Sequence, residues 1–292
     1  FSDCKRLINI NVDNDNENYT SEDGILFNKE KTKIVRYPSG KADTIYKIPE
    51  GMEIIENNAF DKCSVVTNLE IPSSIKNIGT KAFNGCTGLE KVEILSKEAI
   101  IANEAFSGCE KVLVRCYKYS EVEKYVKANN IKYELMMDIS EKDDGTVIAE
   151  LLEEGTLKIS GKGKMKDFSN VDEIPWADSK EKIKKVIVEE GVTNIGEKAF
   201  EGCGLLTEIE ISKSVTEIKN SAFSDCKALI NINVDNNNKS YTSEDGILFN
   251  KEKTKIVRYP SGKVDTIYKI PEGMEIIENN AFGNCNTLID IE

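Results

Sequence analysis

An α/β-type solenoid, mostly β, with a parallel sheet and short helical or 3₁₀ returns, is the fold that the sequence predicts. Three observations predict it. Ala-Phe-x-x-Cys recurs at a 23-residue step in Ala59-Phe60-Cys63, Ala82-Phe83-Cys86 and Ala105-Phe106-Cys109, and again as Ala199-Phe200-Cys203, Ala222-Phe223-Cys226 and Ala281-Phe282-Cys285. Apolar residues fall three, six and eight positions after the cysteines, as at Leu89, Val92 and Ile94 after Cys86. Residues 1–60 return 222 residues later as 223–282, with 55 of 60 positions unchanged. A fixed period of this size marks stacked supersecondary units, none of which can bury its apolar face alone.

Within one repeat, Val92-Glu93-Ile94 alternates as a half-buried strand does. The same frame fits Leu7, Ile10 and Val12 after Cys4, Val66, Leu69 and Ile71 after Cys63, Leu206, Ile209 and Ile211 after Cys203, and Leu229, Ile232 and Val234 after Cys226. The returning half carries Ile75 and Ile78, or Val215 and Ile218, and then an Ala-Phe box, which suits a single turn of helix or 3₁₀ helix. Stacking would place the strands about 4.8 Å apart, with Phe and Cys packed inside as ladders.

Two segments depart from the period. An extra 36 residues lengthen the coil between Cys4 and Cys63 and its twin between Cys226 and Cys285. There the apolar runs flanking Lys29-Glu30-Lys31-Thr32 read as a hairpin. After Cys109 the frame fails, and Ser120–Asn130 becomes an amphipathic helix with Val122, Tyr125 and Val126 on one face, the cap that a solenoid's last coil needs. Farther on, residues 145–160 read as a second hairpin turning at Glu153-Glu154-Gly155, followed by the sole tryptophan, Trp176. Two arrays follow from this reading. One spans 1–137 and ends in a capping helix at about 117–137; the other spans 138–292, with a lead-in hairpin and cap at about 140–180.

The run Leu69-Glu70-Ile71-Pro72 through Cys86, in the form Leu-x-x-Ile-x-Ile-Pro-x-x-Ile-x-x-Ile-Gly-x-x-Ala-Phe-x-x-Cys, resembles the BspA-like bacterial subclass of the leucine-rich repeat. The segment from Gly155 to Gly196 resembles the lead-in such proteins place before a fresh run of repeats. The resemblance covers nearly the whole chain. It implies a curved right-handed leucine-rich-repeat array, an extracellular or cell-surface location, and a role in protein interaction or adhesion.

Bulk properties exclude several classes. Charged residues at 31% and apolar ones at 39% of 292 residues are ordinary for a globular protein. No apolar run approaches the roughly 18–20 residues of a membrane span, so no membrane insertion is expected of these residues. A net charge of −12 and a pI near 4.9 repel phosphate backbones, so nucleic acid is not an expected partner. Phe1 runs directly into Cys4 and Glu292 stops within a strand, which reads as a piece of a longer protein. Seven of the eight cysteines occupy one repeat position. Their Cβ atoms would sit near the strand spacing, beyond the roughly 3.5–4.5 Å of a disulfide, so buried reduced thiols are expected.

Catalytic chemistry has little to stand on. The chain has 0 histidines, which removes Ser-His-Asp and Cys-His catalysis and His-ligated zinc. No Cys-x₂-Cys occurs. Gly161-Lys162-Gly163-Lys164 lacks the ending of a phosphate-binding loop. The loop Asp13–Glu17 lacks the glycine and the distal glutamate of a calcium loop, and its twin replaces Asp15 and Glu17 by Asn237 and Lys239. No catalytic, metal or cofactor residue is expected.

Residues between the inward strand positions face outward. They are Asn9 and Asn11, Asn68 and Glu70, Lys91 and Glu93, Glu208 and Glu210, and Asn231 and Asn233, and together they form a polar, acidic candidate surface for a protein or glycan partner. Tyr37 and Tyr259 of the inserts are added, since repeats bind through insertions grouped on one side. The expected function is a non-catalytic surface or secreted repeat protein. A structural spacer carrying other domains and a carbohydrate-binding module are the alternatives.

Overall fold

The structure is a computed structural model that describes Phe1 and residues 4–292. Ser2 and Asp3, part of the first duplicate's opening box, lie outside the described residues. The chain divides into two compact units, Phe1–Met136 and Met137–Glu292.

In the first unit the strands are β1 (Tyr19–Glu22), β2 (Ile25–Asn28), β3 (Lys33–Arg36), β4 (Ile45–Lys47), β5 (Ile54–Ile55), β6 (Asn68–Ile71), β7 (Asn77–Ile78), β8 (Lys91–Ile94), β9 (Ile100–Ile101), β10 (Leu113–Tyr117) and β11 (Lys132–Asp138), with helix α1 (Glu121–Ala128) between the last two. β4, β6, β8, β10 and β11 form a parallel sheet, in register Leu69↔Val92 and Val92↔Val114. The returns β5, β7 and β9 form a second parallel ladder against β3. Between the two sheets lies the core. Alternation does the sorting: Leu69 and Ile71 are buried while Asn68 and Glu70 are half-exposed.

Ladders run the length of this core. Tyr37, Phe60, Phe83 and Phe106 stack at centroid spacings of 5.0, 5.2 and 4.9 Å. Burying each such ring is worth about 1.5–3 kcal/mol. Beside them the thiols follow the same step, each donating to the aromatic residue's carbonyl one coil back: Cys86 Sγ to Phe60 O at 3.0 Å and Cys109 Sγ to Phe83 O at 3.1 Å. Cysteine at this position therefore fills space as a small apolar residue and satisfies a buried carbonyl. All eight cysteines are free thiols; six are buried, Cys285 is half-buried and Cys4 is exposed.

The returns differ from the sequence expectation. Each is a two-residue strand followed by successive turns, with Ala59 N donating to Glu56 O, Asp61 N to Asn58 O and Cys63 N to Phe60 O. Asn58 and Lys62 between these bonds have φ of 58° and 62°, and Lys81 and Glu104 repeat the left-handed geometry at 57° and 61°. A left-handed residue in every turn prevents helix propagation, so the predicted helical returns are runs of separate turns. The frame also survives past Cys109: with one residue deleted, Val114 and Cys116 still pair with Val92 and Ile94.

Ser120 caps α1 by accepting from Glu123 N, and Val122 and Val126 turn inward over the last coil.

The second unit opens with β12 (Ser140–Leu151) antiparallel to β13 (Thr156–Met165) and continues with β14 (Lys185–Val188), β15 (Asn194–Ile195), β16 (Glu208–Ile211), β17 (Glu217–Ile218), β18 (Asn231–Val234), β19 (Tyr241–Glu244), β20 (Ile247–Asn250), β21 (Lys255–Arg258), β22 (Ile267–Tyr268), β23 (Ile276–Ile277) and β24 (Asp290–Ile291). β13, β14, β16 and β18 form its parallel sheet. Two 3₁₀ segments, Val171–Glu173 and Ala177–Lys182, bracket Trp176, whose ring stacks on Phe200 at 6.0 Å and begins the unit's ladder with Phe168 at its edge.

The inserts are three-stranded meanders rather than the predicted two-stranded hairpins, because β1 and β19 add an antiparallel strand to each. β3 takes the place of a return strand, and Tyr37 takes the place of a box phenylalanine, with Tyr37 N donating to Ala59 O at 2.8 Å as Phe60 N does to Ala82 O at 2.7 Å. The meander's first turn docks on the segment just before it, which in the second unit is strand β18. Ile10 N donates to Gly24 O at 2.9 Å, and in the twin Ile232 N donates to Gly246 O at 3.0 Å. Gly24 has φ +75°, and a Cβ there would lie 2.3 Å from Asn9 Oδ1, so a side chain at this position would be strained and would displace the Asn9 amide. On the edge of β18 away from β16, this turn stands where the next strand would have paired.

Candidate binding surface

The outward row of the first sheet reads Lys47, Glu70, Glu93, Arg115 and Glu134 across five strands. The pleat aims all five away from the core. Lys47 Nζ meets Glu70 Oε2 at 2.7 Å, Arg115 Nη1 meets Glu93 Oε1 at 2.8 Å, and Arg115 Nε lies 3.6 Å from Glu134 Oε2. Glu70 and Glu93 stand directly opposite each other, a like-charge pair that Lys47 and Arg115 offset from either side. The parallel row holds Ile45, Asn68, Lys91, Leu113 and Lys132. Ile45 is 63% exposed.

In the second unit, Lys185 sits between two carboxylates, Glu210 Oε1 at 2.5 Å and Glu208 Oε2 at 3.4 Å, and the Glu210 bond raises its pKa. Asn233 Nδ2 donates to Glu208 Oε1 at 2.7 Å, and Glu208 and Glu210 pair in register with Asn231 and Asn233. Exposed pairs of this kind are worth about 0–1 kcal/mol each, so they shape the face more than they hold the fold.

Of the predicted surface residues, Asn68, Glu70, Lys91 and Glu93 come together on one face, and Glu208, Glu210, Asn231 and Asn233 on another. Asn9 and Asn11 are exposed on a segment that joins no sheet, Asn9 lying against the Gly24 turn. Tyr37 and Tyr259 are a correction. They are 0% and 1% exposed, and their rings are rungs of the aromatic ladder. An aromatic at the position of a box phenylalanine has no route to solvent, and each hydroxyl is spent on a carboxylate, Asp43 or Asp265.

Sequence reasoning missed Arg115, Lys47, Lys185 and the apolar Ile45, Leu113 and Ile187 on these faces. Arg115 was findable: the alternation Val112, Val114, Cys116 leaves Leu113 and Arg115 facing outward.

Other motifs resolve into local structure. Asp13 and Asn16 accept backbone N–H bonds from Asp15 and from Asn18 and Tyr19, which are turn contacts on an exposed loop. Gly161 and Gly163 lie within β13, where a Cβ at Gly163 would come 1.7 Å from Asp144 O. No group of three or more His, Cys, Asp or Glu that could hold a metal ion occurs among the described residues, and no helix among them is long and apolar enough to cross a membrane.

The BspA type leucine rich repeat region matches this chain in six copies, over residues 41–130, 177–269 and 261–292. A search of curated proteins finds no match. Similar solved structures include a leucine-rich repeat protein from Eubacterium ventriosum, at 23% identity over 54% of this chain and 62% of that one, TM-score 0.27. A leucine rich cell surface protein from Faecalibacterium prausnitzii is 21% identical over 95% of this chain and 77% of that one, TM-score 0.33. A leucine-rich repeat protein from Bacteroides ovatus is 18% identical over 97% of this chain and 86% of that one, TM-score 0.28. This chain spans less than two thirds of the first of these.

Proposed function

From the premise that this chain belongs to the BspA-type leucine-rich-repeat family, we propose that it is a non-catalytic binding protein, displayed on the cell surface or secreted, whose outward sheet face engages a protein partner in adhesion. The observation that carries the reading is the row Lys47-Glu70-Glu93-Arg115-Glu134, flanked by Ile45 and Leu113. Arginine aligned between carboxylates beside the exposed Ile45 and the half-buried Leu113 suits a polar protein partner with complementary charges, since such patterns steer encounter and fix register. Neither of these two rows carries an aromatic ring, the platform a sugar would stack on. The surface location rests on the family.

Binding of the chain to arrayed extracellular-matrix proteins at physiological salt tests the proposal, beside Glu70→Lys/Glu93→Lys and Glu208→Lys/Glu210→Lys variants. Saturable binding weakened roughly tenfold or more by one double variant is the expected result. Absence of binding to every protein, or binding indifferent to both variants, would favour a spacer.

A further inference from the structure

The core of the second unit divides at its insert. Phe200 stacks on Phe223 at 6.0 Å and Tyr259 on Phe282 at 5.3 Å, but the first pair belongs to one buried cluster and Tyr259 to another. The return strands part at the same place, with β17 paired to β15 and β21 to β23 in separate sheets. The first unit differs. There the insert residues Ile25, Phe27 and Ile34 share a single cluster with the coils as far as Val126.

Standing in the break, the meander is a partition with two apolar faces. Ile247, Phe249 and Ile256 join Tyr259 on one side, whereas Leu248, Val257 and Tyr241 pack against the cluster of the preceding coils. Single hydrogen bonds supply the rest. On the sheet side Gly262 N donates to Leu229 O at 2.7 Å. On the return side Asn238, 0% exposed, donates through Nδ2 to Ser212 O and Val215 O, each at 2.9 Å, and the Tyr241 hydroxyl accepts from Ile218 N at 3.0 Å. Beside them lies a cavity of about 260 Å³, walled by Lys219, Ser221, Tyr241 and Lys255 among others. The stability of a solenoid is a sum of each unit's own contribution and its interfaces with its neighbours. An interface that replaces ring stacking and a continuous strand pair by single hydrogen bonds and a polar-walled cavity is the weaker one, and local opening follows the weakest interface.

We infer that the second insert is a yield point built into the fold: residues 241–292 open as one unit while the coils before β18 stay folded. Asn238 and Tyr241 are the clasp that sets how often this happens.

Hydrogen exchange of the whole chain, followed by mass spectrometry at low urea, tests it. Amides of residues 247–285 should exchange together and roughly tenfold or more faster than those of β14 and β16. Asn238→Asp keeps the oxygen to which Ser240 N and Tyr241 N donate but loses both Nδ2 bonds, and Tyr241→Phe loses only the hydroxyl. Each should speed exchange of residues 247–285 further, roughly threefold or more, and leave β14 and β16 unchanged. One level of protection from residue 157 to 285 that both variants lower together overturns the inference. A step or a smooth decline toward residue 292 that neither variant moves overturns it as well.

Discussion

The Tyr37 hydroxyl donates to Asp43 Oδ2 at 2.8 Å, and the duplicate repeats the bond from Tyr259 to Asp265 at 2.6 Å. A ring locked in the aromatic ladder thus carries a polar tip that anchors the chain leaving each insert. The bond also holds the Asp43 carboxyl below the usual carboxylate range, with Lys41 adding to it.

A pH dependence follows from that bond. A carboxylate whose folded pKa is depressed contributes stability that is present above its unfolded pKa of about 3.9 and is lost as pH falls through the folded value. Tyr37→Phe should cost about 1 kcal/mol at pH 7 in urea unfolding. The gap to wild type should narrow as pH drops below about 4. A gap of constant size from neutral pH to pH 3 would disprove the link.

Thiol accessibility is the second prediction. Burial pushes the Cys116 and Cys203 thiols up to about 12, and four further thiols are buried in the ladder. Cys4 should react fast with a colorimetric disulfide reagent, Cys285 slowly, and the others only after denaturant is added. Rapid native labelling of three or more thiols would contradict the packing.

The aromatic ladder supplies the third. Phe83 is 1% exposed and touches Phe60 and Phe106 at 5.2 and 4.9 Å. Phe83→Ala should cost about 3–5 kcal/mol, while Phe83→Leu, which refills part of the volume, should cost clearly less. Equal costs would mean that the site collapses freely.

A pair of glycines makes the fourth. Gly51 and Gly163 have φ of +88° and +117°, but a Cβ at Gly51 meets nothing within 4 Å while one at Gly163 overlaps the Asp144 carbonyl. Gly51→Ala should cost about 1–2 kcal/mol, the left-handed penalty alone. Gly163→Ala should cost distinctly more, read as a lower urea midpoint, and a smaller loss at Gly163 would refute the close approach of β12 and β13.

The period, the strands and the inward set were legible in the sequence because each coil repeats the contacts of the last: Leu69, Val92 and their counterparts are buried by neighbours of their own kind one step away. The thiol ladder was legible for the same reason. The return halves were misread, since Ile75 and Ile78 carry a helical spacing but nothing in it announces the left-handed residues that cut each turn from the next.

Repetition by itself determined that this chain is a leucine-rich-repeat solenoid with a ladder of thiols at the box position, five of whose seven members are buried. Tertiary structure alone decided what the two inserts do: that β3 enters the return ladder, that Tyr37 and Tyr259 become core rungs, that the Gly246 turn stands at the edge of β18, and that Arg258 is buried beside a cavity. Local periodicity encodes contacts between equivalent residues of adjacent coils. An insert has no equivalent next door, so its place is set by long-range packing that a single coil does not record.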